Sequence, residues 1–295
     1  MRSVRALIAQ HPVLSYYIAA FAVSWSGILL VIGGPGNIPG TKDRFDAIVP
    51  LVAMALLAGP VIAGLLMAGL AHGRSGYREF ASRLLTWRVQ LRWYAAAVLI
   101  APLLMTAVPL AISLFYPKLL PGLISTSDRA SLLQLGLGMG LMAGLFEELG
   151  WTGFAIPTLR QRHNVLSVGL IVGFLWGAWH LLINLWTSGD AAGALSPTLF
   201  LHSLIFSLGI LPAYRVLMVW VYDRTQSLSL AMLMHVSLTF SNVVFLPETT
   251  GIPLVIWSLV LAAVLWVVVA VVARANHWQV SRMPSQGVGS GGKAT

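Results

Sequence analysis

Residues 140–157 read GLMAGLFEELGWTGFAIP, and they place Glu147 and Glu148 side by side in a stretch that is otherwise almost wholly apolar. The chain has 295 residues, of which 58% are hydrophobic and only 9% are charged, and its mean hydropathy is +0.83. Such values lie outside the range of soluble globular domains. We therefore predict an all-α integral membrane protein, because an open sheet would leave unpaired backbone groups in lipid.

The apolar windows are long enough to span a bilayer. A hydrocarbon core of about 30 Å requires about 20 apolar residues in each helix. The first window lacks a small-residue cleavage site, so we count it as a span rather than as a removable signal peptide. The eight windows that we predict to span the membrane are residues 13–33, 48–71, 93–116, 131–156, 165–187, 197–221, 227–246 and 252–273.

We predict a single transmembrane domain over residues 1–281 and a disordered tail over residues 282–295, which are rich in Gly and Ser. Between the second and third windows, residues 74–93 alternate arginines with apolar residues at spacings near three and four. That pattern is typical of a basic amphipathic helix lying on the inner leaflet.

The basic residues predict the orientation of the chain. With the N-terminus inside, the inner segments carry most of the arginines, and we expect both termini to be cytoplasmic, at the bacterial inner membrane. The net charge of +9 then reflects this orientation, and we expect no nucleic-acid partner. The absence of cysteine excludes disulfides, thiolate metal ligands and a cysteine nucleophile.

Polar side chains within the windows are functional candidates, since a charge at the centre of a membrane helix costs on the order of 2.5–3.5 kcal/mol on insertion scales. At a rise of about 1.5 Å per residue, Glu147, His180 and His235 share one level somewhat inside the midplane. Successive helical residues differ by about 100°, so one glutamate faces the site and the other makes a supporting contact. The candidates are Glu147, Glu148, His180, Asn184, His202, Arg215, His235, Thr239, Ser241 and Asn242.

One carboxylate and two imidazoles at one level suit the activation of water, by either of two mechanisms. In the first, Glu147 is the general base, His180 shares the water, and His235 donates to an oxyanion. Thr239 or Asn242 would be a further donor, and Asn184 a supporting residue. In the second mechanism, Glu147, His180 and His235 bind a divalent metal, and zinc suits these ligands best. The first mechanism needs no cofactor.

Two other interpretations remain open. The glutamates could form a structural ion pair with Arg215, or the Glu/His set could be the relay of a proton-coupled transporter. Broken helices favour transport, and Pro212 is the only clear internal breaker that the sequence indicates. The small residues Gly140, Gly144 and Gly150 predict close helix packing around the acids.

Three segments resemble the signature regions of the CAAX-processing and bacteriocin-processing (CPBP, or Abi) intramembrane proteases. They are EELGWTGFAIP at 147–157, FLWGAWHLLIN at 174–184 and HVSLTFSN at 235–242, and the resemblance covers about residues 130–245. It implies an endopeptidase in which Glu147 activates water and Glu148 is its neighbour. His180 would assist at the water or metal, and His235 would serve the oxyanion or the metal.

This sequence departs from the family pattern at three positions. Thr152 stands where the first motif usually ends in Arg, which removes an expected charge partner of Glu148. Trp176 replaces a Phe and keeps an aromatic ring, while Thr239 replaces an Asn and is a weaker oxyanion donor.

We expect an endopeptidase that hydrolyses a peptide bond near the cytoplasmic side. Its partners would be the lipid bilayer and a peptide or protein substrate. Membrane-bound and lipidated substrates are among the candidates. The alternative classes are a proton-coupled transporter and a catalytically silent immunity or scaffold protein.

Overall fold

The computed structural model describes residue 8 and residues 10–276. Within these residues, eight helices are long and apolar enough to cross a membrane, which confirms the predicted all-α membrane architecture. The predicted tail at 282–295 lies outside the described residues. The spanning helices are α1 (Pro12–Ile32), α2 (Lys42–Ala71), α3 (Leu91–Ser113), α4 (Arg129–Arg160), α5 (Val165–Thr187), α6 (Pro197–Thr225), α7 (Leu228–Phe245) and α8 (Ile252–Ala275).

The basic segment that follows α2 is helical only in its first part. The helix continues through a bend at Gly73, whose φ of 60° strongly favours glycine, and it ends at Leu84. It therefore stops well before residue 93, where the pattern predicts its end, and α3 begins at Leu91. At the stop, the Ser229 hydroxyl of α7 donates to the carbonyl of Leu84, which a continuing helix would have used itself.

The expectation that Pro212 is the only clear internal breaker is wrong, because prolines also lie inside other spans. Besides Pro212, the interiors of α2 and α3 contain Pro50, Pro60, Pro102 and Pro109. A proline leaves the carbonyl four residues earlier without its helical donor. Serines of neighbouring helices replace two of these donors: Ser24 Oγ donates to Leu56 O at 2.5 Å, four residues before Pro60. Ser237 Oγ donates to Val98 O at 2.9 Å, four residues before Pro102.

Three of the remaining spans change their helical geometry along their length. A π-helical segment at Trp151–Ala155 follows the two glutamates of α4, and another at Phe206–Ile210 precedes Pro212 in α6. The α-helical run of α5 is interrupted at His180. π-Segments re-aim the side chains that follow them and are frequent at functional sites.

Small residues let α4 approach α7 closely. A Cβ added to Gly144 would lie 2.8 Å from the carbonyl oxygen of Met232 and 2.9 Å from the amide nitrogen of Val236. At Gly140 it would lie 2.9 Å from the carbonyl oxygen of Val236. This contact brings the part of α4 that carries the two glutamates beside His235 on α7.

Gly144→Ala is expected to destabilise the protein, because its methyl group would press on the α7 backbone at a cost on the order of 1–3 kcal/mol. The measurement is thermal unfolding in detergent micelles. The matched control is Gly138→Ala on the same helix, where an added Cβ would meet no atom within 4 Å. Alanine favours helix over glycine, so the control should keep or raise the Tm. Equal Tm values for the two variants would contradict the close approach of α4 and α7.

Candidate active site

Glu148 is fully buried, and both of its carboxylate oxygens have partners. Arg215 Nη1 of α6 lies 2.8 Å from Oε1 and 2.9 Å from Oε2. His235 Nδ1 of α7 lies 2.7 Å from Oε1, and the Thr152 hydroxyl donates to Oε2. One carboxylate thus ties α4, α6 and α7 together, and its acceptor capacity is taken up by the protein itself.

The threonine at position 152 does not leave Glu148 without a cation. The sequence predicted the loss of a charge partner there, but Arg215 brings a guanidinium to the same carboxylate from a different helix. Its Cζ atom also lies 4.0 Å from the centroid of the Trp176 ring, a favourable cation–π arrangement. The arginine that the motif lacks is therefore replaced in space by a residue outside the three motifs.

Glu147 is 3% exposed and is held differently. Its Oε2 accepts hydrogen bonds from Trp176 Nε1 at 2.6 Å and from Trp151 Nε1 at 3.2 Å. Among the described residues, no group donates to Oε1. The two indoles therefore fix the orientation of this carboxylate and leave one oxygen available to a water molecule or a substrate.

The hydrogen bond of His180 determines which ring nitrogen is free. Its Nδ1 lies 2.9 Å from the carbonyl oxygen of Trp176, and a carbonyl can only accept, so Nδ1 carries the proton. In the neutral ring, Nε2 then presents a lone pair. His180 is also partly exposed, whereas Glu147, Glu148 and His235 are buried. The site is thus most open at His180.

His235, like His180, binds an acceptor through Nδ1, but here the acceptor is a carboxylate. Its Nδ1 faces Glu148 Oε1, and a carboxylate paired with Arg215 accepts, so Nδ1 again carries the proton. Nε2 of His235 is left to interact with a ligand. Its ring centroid lies 4.9 Å from that of Trp176 in an edge-to-face arrangement.

Trp176 is the residue on which these side chains converge. Its indole N–H binds Glu147, its carbonyl oxygen binds His180, and its ring packs against His235 and Arg215. From the sequence, Trp176 is only the replacement of one aromatic ring by another. A buried indole N–H usually finds an acceptor, but among the described residues the buried N–H groups of Trp179, Trp186 and Trp257 have none, so residue type alone does not single out Trp176.

Three predicted supporting residues are not joined to this cluster. Asn184 Nδ2 donates to Ser207 Oγ at 2.8 Å and so connects α5 to the π-segment of α6. Thr239 makes no hydrogen bond through its side chain with any described residue, and the buried Oδ1 of Asn242 has no partner among them.

The candidate His202 also lies outside this cluster. Its Nδ1 lies 2.6 Å from Ser258 Oγ.

The histidines match a metal site in one respect and not in another. Metal-binding histidines usually donate the second ring N–H to a carboxylate or a backbone carbonyl, as His235 and His180 do. Among residue 8 and residues 10–276, however, no group of three His, Asp or Glu side chains is placed to hold a metal ion.

Comparisons with known proteins agree with the motifs. Residues 129–241 match the protein family described as Rce1-like, the type II CAAX prenyl endopeptidases. The chain is also 22% identical over 226 residues to CAAX prenyl protease 2 of Methanococcus maripaludis, an alignment that covers 75% of this chain and 80% of that protein. These matches confirm the resemblance to the CPBP group, and the eight apolar helices agree with an integral membrane protein. Both matches are to CAAX proteases, and they support an intramembrane endopeptidase activity on a peptide or protein substrate.

Arg215→Gln is expected to cost about 3–5 kcal/mol of stability, because it leaves Glu148 as a buried charge without its main partner. The measurement is again thermal unfolding in micelles. The control is Arg160→Gln, which breaks the less deeply buried pair of Arg160 with Asp223 and should cost less than Arg215→Gln. Adding Glu148→Gln to Arg215→Gln should recover part of the loss. Equal destabilisation by the two arginine variants would contradict the buried ion pair.

Proposed function

We propose that this protein is an intramembrane endopeptidase in which Glu147 is the general base that activates the attacking water. The observation that carries the proposal is the unequal use of the two carboxylates. Glu148 is occupied by Arg215, His235 and Thr152, whereas Glu147 Oε1 has no donor among the described residues. A base must have a free oxygen within reach of the proton that it removes.

The proposed reaction is the addition of water to a peptide carbonyl. Glu147 Oε1 accepts a proton from the water while the water oxygen forms a bond to the carbonyl carbon, and the C=O electron pair moves to the oxygen as an oxyanion. When the intermediate collapses, the C–N bond breaks and Glu147 returns the proton to the leaving amine. The carboxylate ends the cycle ionised, as it began.

The two histidines are assigned complementary tasks. Nε2 of neutral His180 accepts a hydrogen bond from the water and so helps to hold it. His235 in its cationic form donates from Nε2 to the oxyanion, and Glu148 balances that charge from the Nδ1 side. The role of Glu148 is thus to position His235, which also explains why its own oxygens are committed to other groups.

Substrate access is proposed from the side on which His180 is exposed. The uneven distribution of arginines predicts that the end of the bundle carrying residues 74–93 faces the cytoplasm. Cleavage near the cytoplasmic side is proposed from this sequence pattern and from the resemblance. The relative from Methanococcus maripaludis is named a CAAX prenyl protease. We therefore include a prenylated CAAX peptide among the test substrates, next to an unmodified peptide and a membrane-anchored peptide.

Glu147→Gln is expected to reduce cleavage by a factor on the order of 10²–10⁴, because glutamine cannot accept the proton. The measurement is hydrolysis of the three peptides by protein reconstituted in liposomes. Glu79→Gln is the control, since Glu79 is exposed on the helix that continues α2 and lies outside the site. Cleavage that survives Glu147→Gln would contradict the assignment of the base.

Metal analysis of the same preparations separates the two water-activating mechanisms. The carboxylate mechanism predicts substoichiometric zinc and cleavage that persists in chelator. Stoichiometric zinc that is lost from both Glu147→Ala and His180→Ala would instead assign the activation of water to a metal.

Trp176→Phe is expected to lower kcat about tenfold or more while leaving KM nearly unchanged. The variant keeps an aromatic ring but removes the N–H that orients Glu147. The matched control is Trp87→Phe, since Trp87 is exposed and far from the cluster in sequence. A folded Trp176→Phe variant with the wild-type kcat would contradict a role for this hydrogen bond.

A further inference from the structure

A cavity of about 670 Å³ lies at one end of the bundle, between the segment leading into α3, the last turn of α6 and the end of α8. None of its lining residues belongs to the Glu/His cluster. The lining includes three arginines, two tryptophans and an amide: Arg88, Arg92, Arg224, Trp93, Trp220 and Asn276. This is the end that the distribution of arginines predicts to face the cytoplasm.

The positive charge of this cavity is not neutralised by acidic side chains. Among the described residues, none of its three arginines forms an ion pair, and the nearby Asp223 is paired with Arg160. The parts of the chain outside the described residues contain no Asp or Glu at all, so they cannot supply an acidic side chain either. The cavity therefore attracts anions.

The walls of the cavity are ordered by contacts between the lining residues themselves. The rings of Trp93 and Trp220 meet edge to face at 5.1 Å. Asn276 Oδ1 lies 3.2 Å from Arg224 Nη2 and 3.4 Å from Trp220 Nε1, which connects α8 to α6. The Arg92 guanidinium lies 5.2 Å from the centroid of the Trp93 ring. The cationic groups thus stand beside a fixed aromatic wall.

The surroundings indicate that an anion would reach this cavity from the membrane. Leu85, Trp87 and Leu91, which flank the arginines in sequence, are 70%, 62% and 81% exposed. Large apolar side chains so exposed are suited to contact with acyl chains, and tryptophans are enriched at the level of lipid headgroups. A charged headgroup in the cavity would leave its acyl chains beside these residues.

We propose that this cavity binds the phosphate of an anionic phospholipid. Arginines recognise phosphate through paired hydrogen bonds, and basic pockets between membrane helices bind anionic headgroups. A zwitterionic lipid carries a second charge of the opposite sign, which the three arginines would repel. The site is thus selective for a headgroup without a balancing cation.

The test is native mass spectrometry of the full chain released from micelles that contain equal amounts of phosphatidylglycerol and phosphatidylcholine. The wild type should retain phosphatidylglycerol preferentially. Each of the substitutions Arg88→Gln, Arg92→Gln and Arg224→Gln should reduce that retention about fivefold. Arg78→Gln is the control, because Arg78 is exposed at the same end of the bundle but does not line the cavity.

Three outcomes would overturn the proposal: equal retention of both lipids, unchanged retention in all three cavity variants, or an equal loss in Arg78→Gln. A cooperative thermal unfolding transition near the wild-type Tm shows that a variant is still folded. A second arm compares the Tm shift caused by phosphatidylglycerol with that caused by inorganic phosphate at the same concentration. The lipid should raise the Tm and phosphate should not. An equal shift by both would assign the site to a free anion instead.

Discussion

A carboxylate inside so apolar a bundle needs hydrogen-bond or charge partners, and this requirement organises the centre of the protein. Glu148 meets it with a guanidinium, an imidazole and a hydroxyl from three helices. Glu147 meets it only on Oε2, through two indole N–H groups. The adjacent acids therefore differ: both oxygens of Glu148 bind groups of the protein, whereas Glu147 keeps one free oxygen.

The same requirement links the fold to the chemistry. Arg215 must reach Glu148 from α6, and the π-segment at Phe206–Ile210 and Pro212 set the direction of that part of the helix. His235 must reach Glu148 from α7, which depends on the close approach at Gly144. Ser237, two residues beyond His235, also ties α7 to α3 through Val98. Packing contacts remote from the reactive oxygen thus decide where it lies.

The spans and the reactive residue types could be predicted from the sequence, because hydropathy reports burial in lipid and charged groups are rare there. Arg215 could be named as a possible partner of the glutamates, but the sequence did not show which glutamate it meets or that Trp176 binds the other. Which face of a helix meets which neighbour depends on rotation about its axis, and Arg215 and Trp176 are surrounded by apolar residues that give no rotational signal. The amphipathic pattern of residues 74–93 likewise gave no indication that Ser229 would end the helix at Leu84.

The hydrogen bond from the Trp176 indole to the Glu147 carboxylate orients the reactive oxygen. The measurement that tests it is the ¹H–¹⁵N NMR spectrum of the tryptophan indoles, with the Trp176 resonance identified by its absence from Trp176→Phe. If the bond forms, the Trp176 proton lies strongly downfield, moves upfield in Glu147→Gln and stays in place in Glu79→Gln. A Trp176 resonance that Glu147→Gln leaves unchanged would show that the bond is absent.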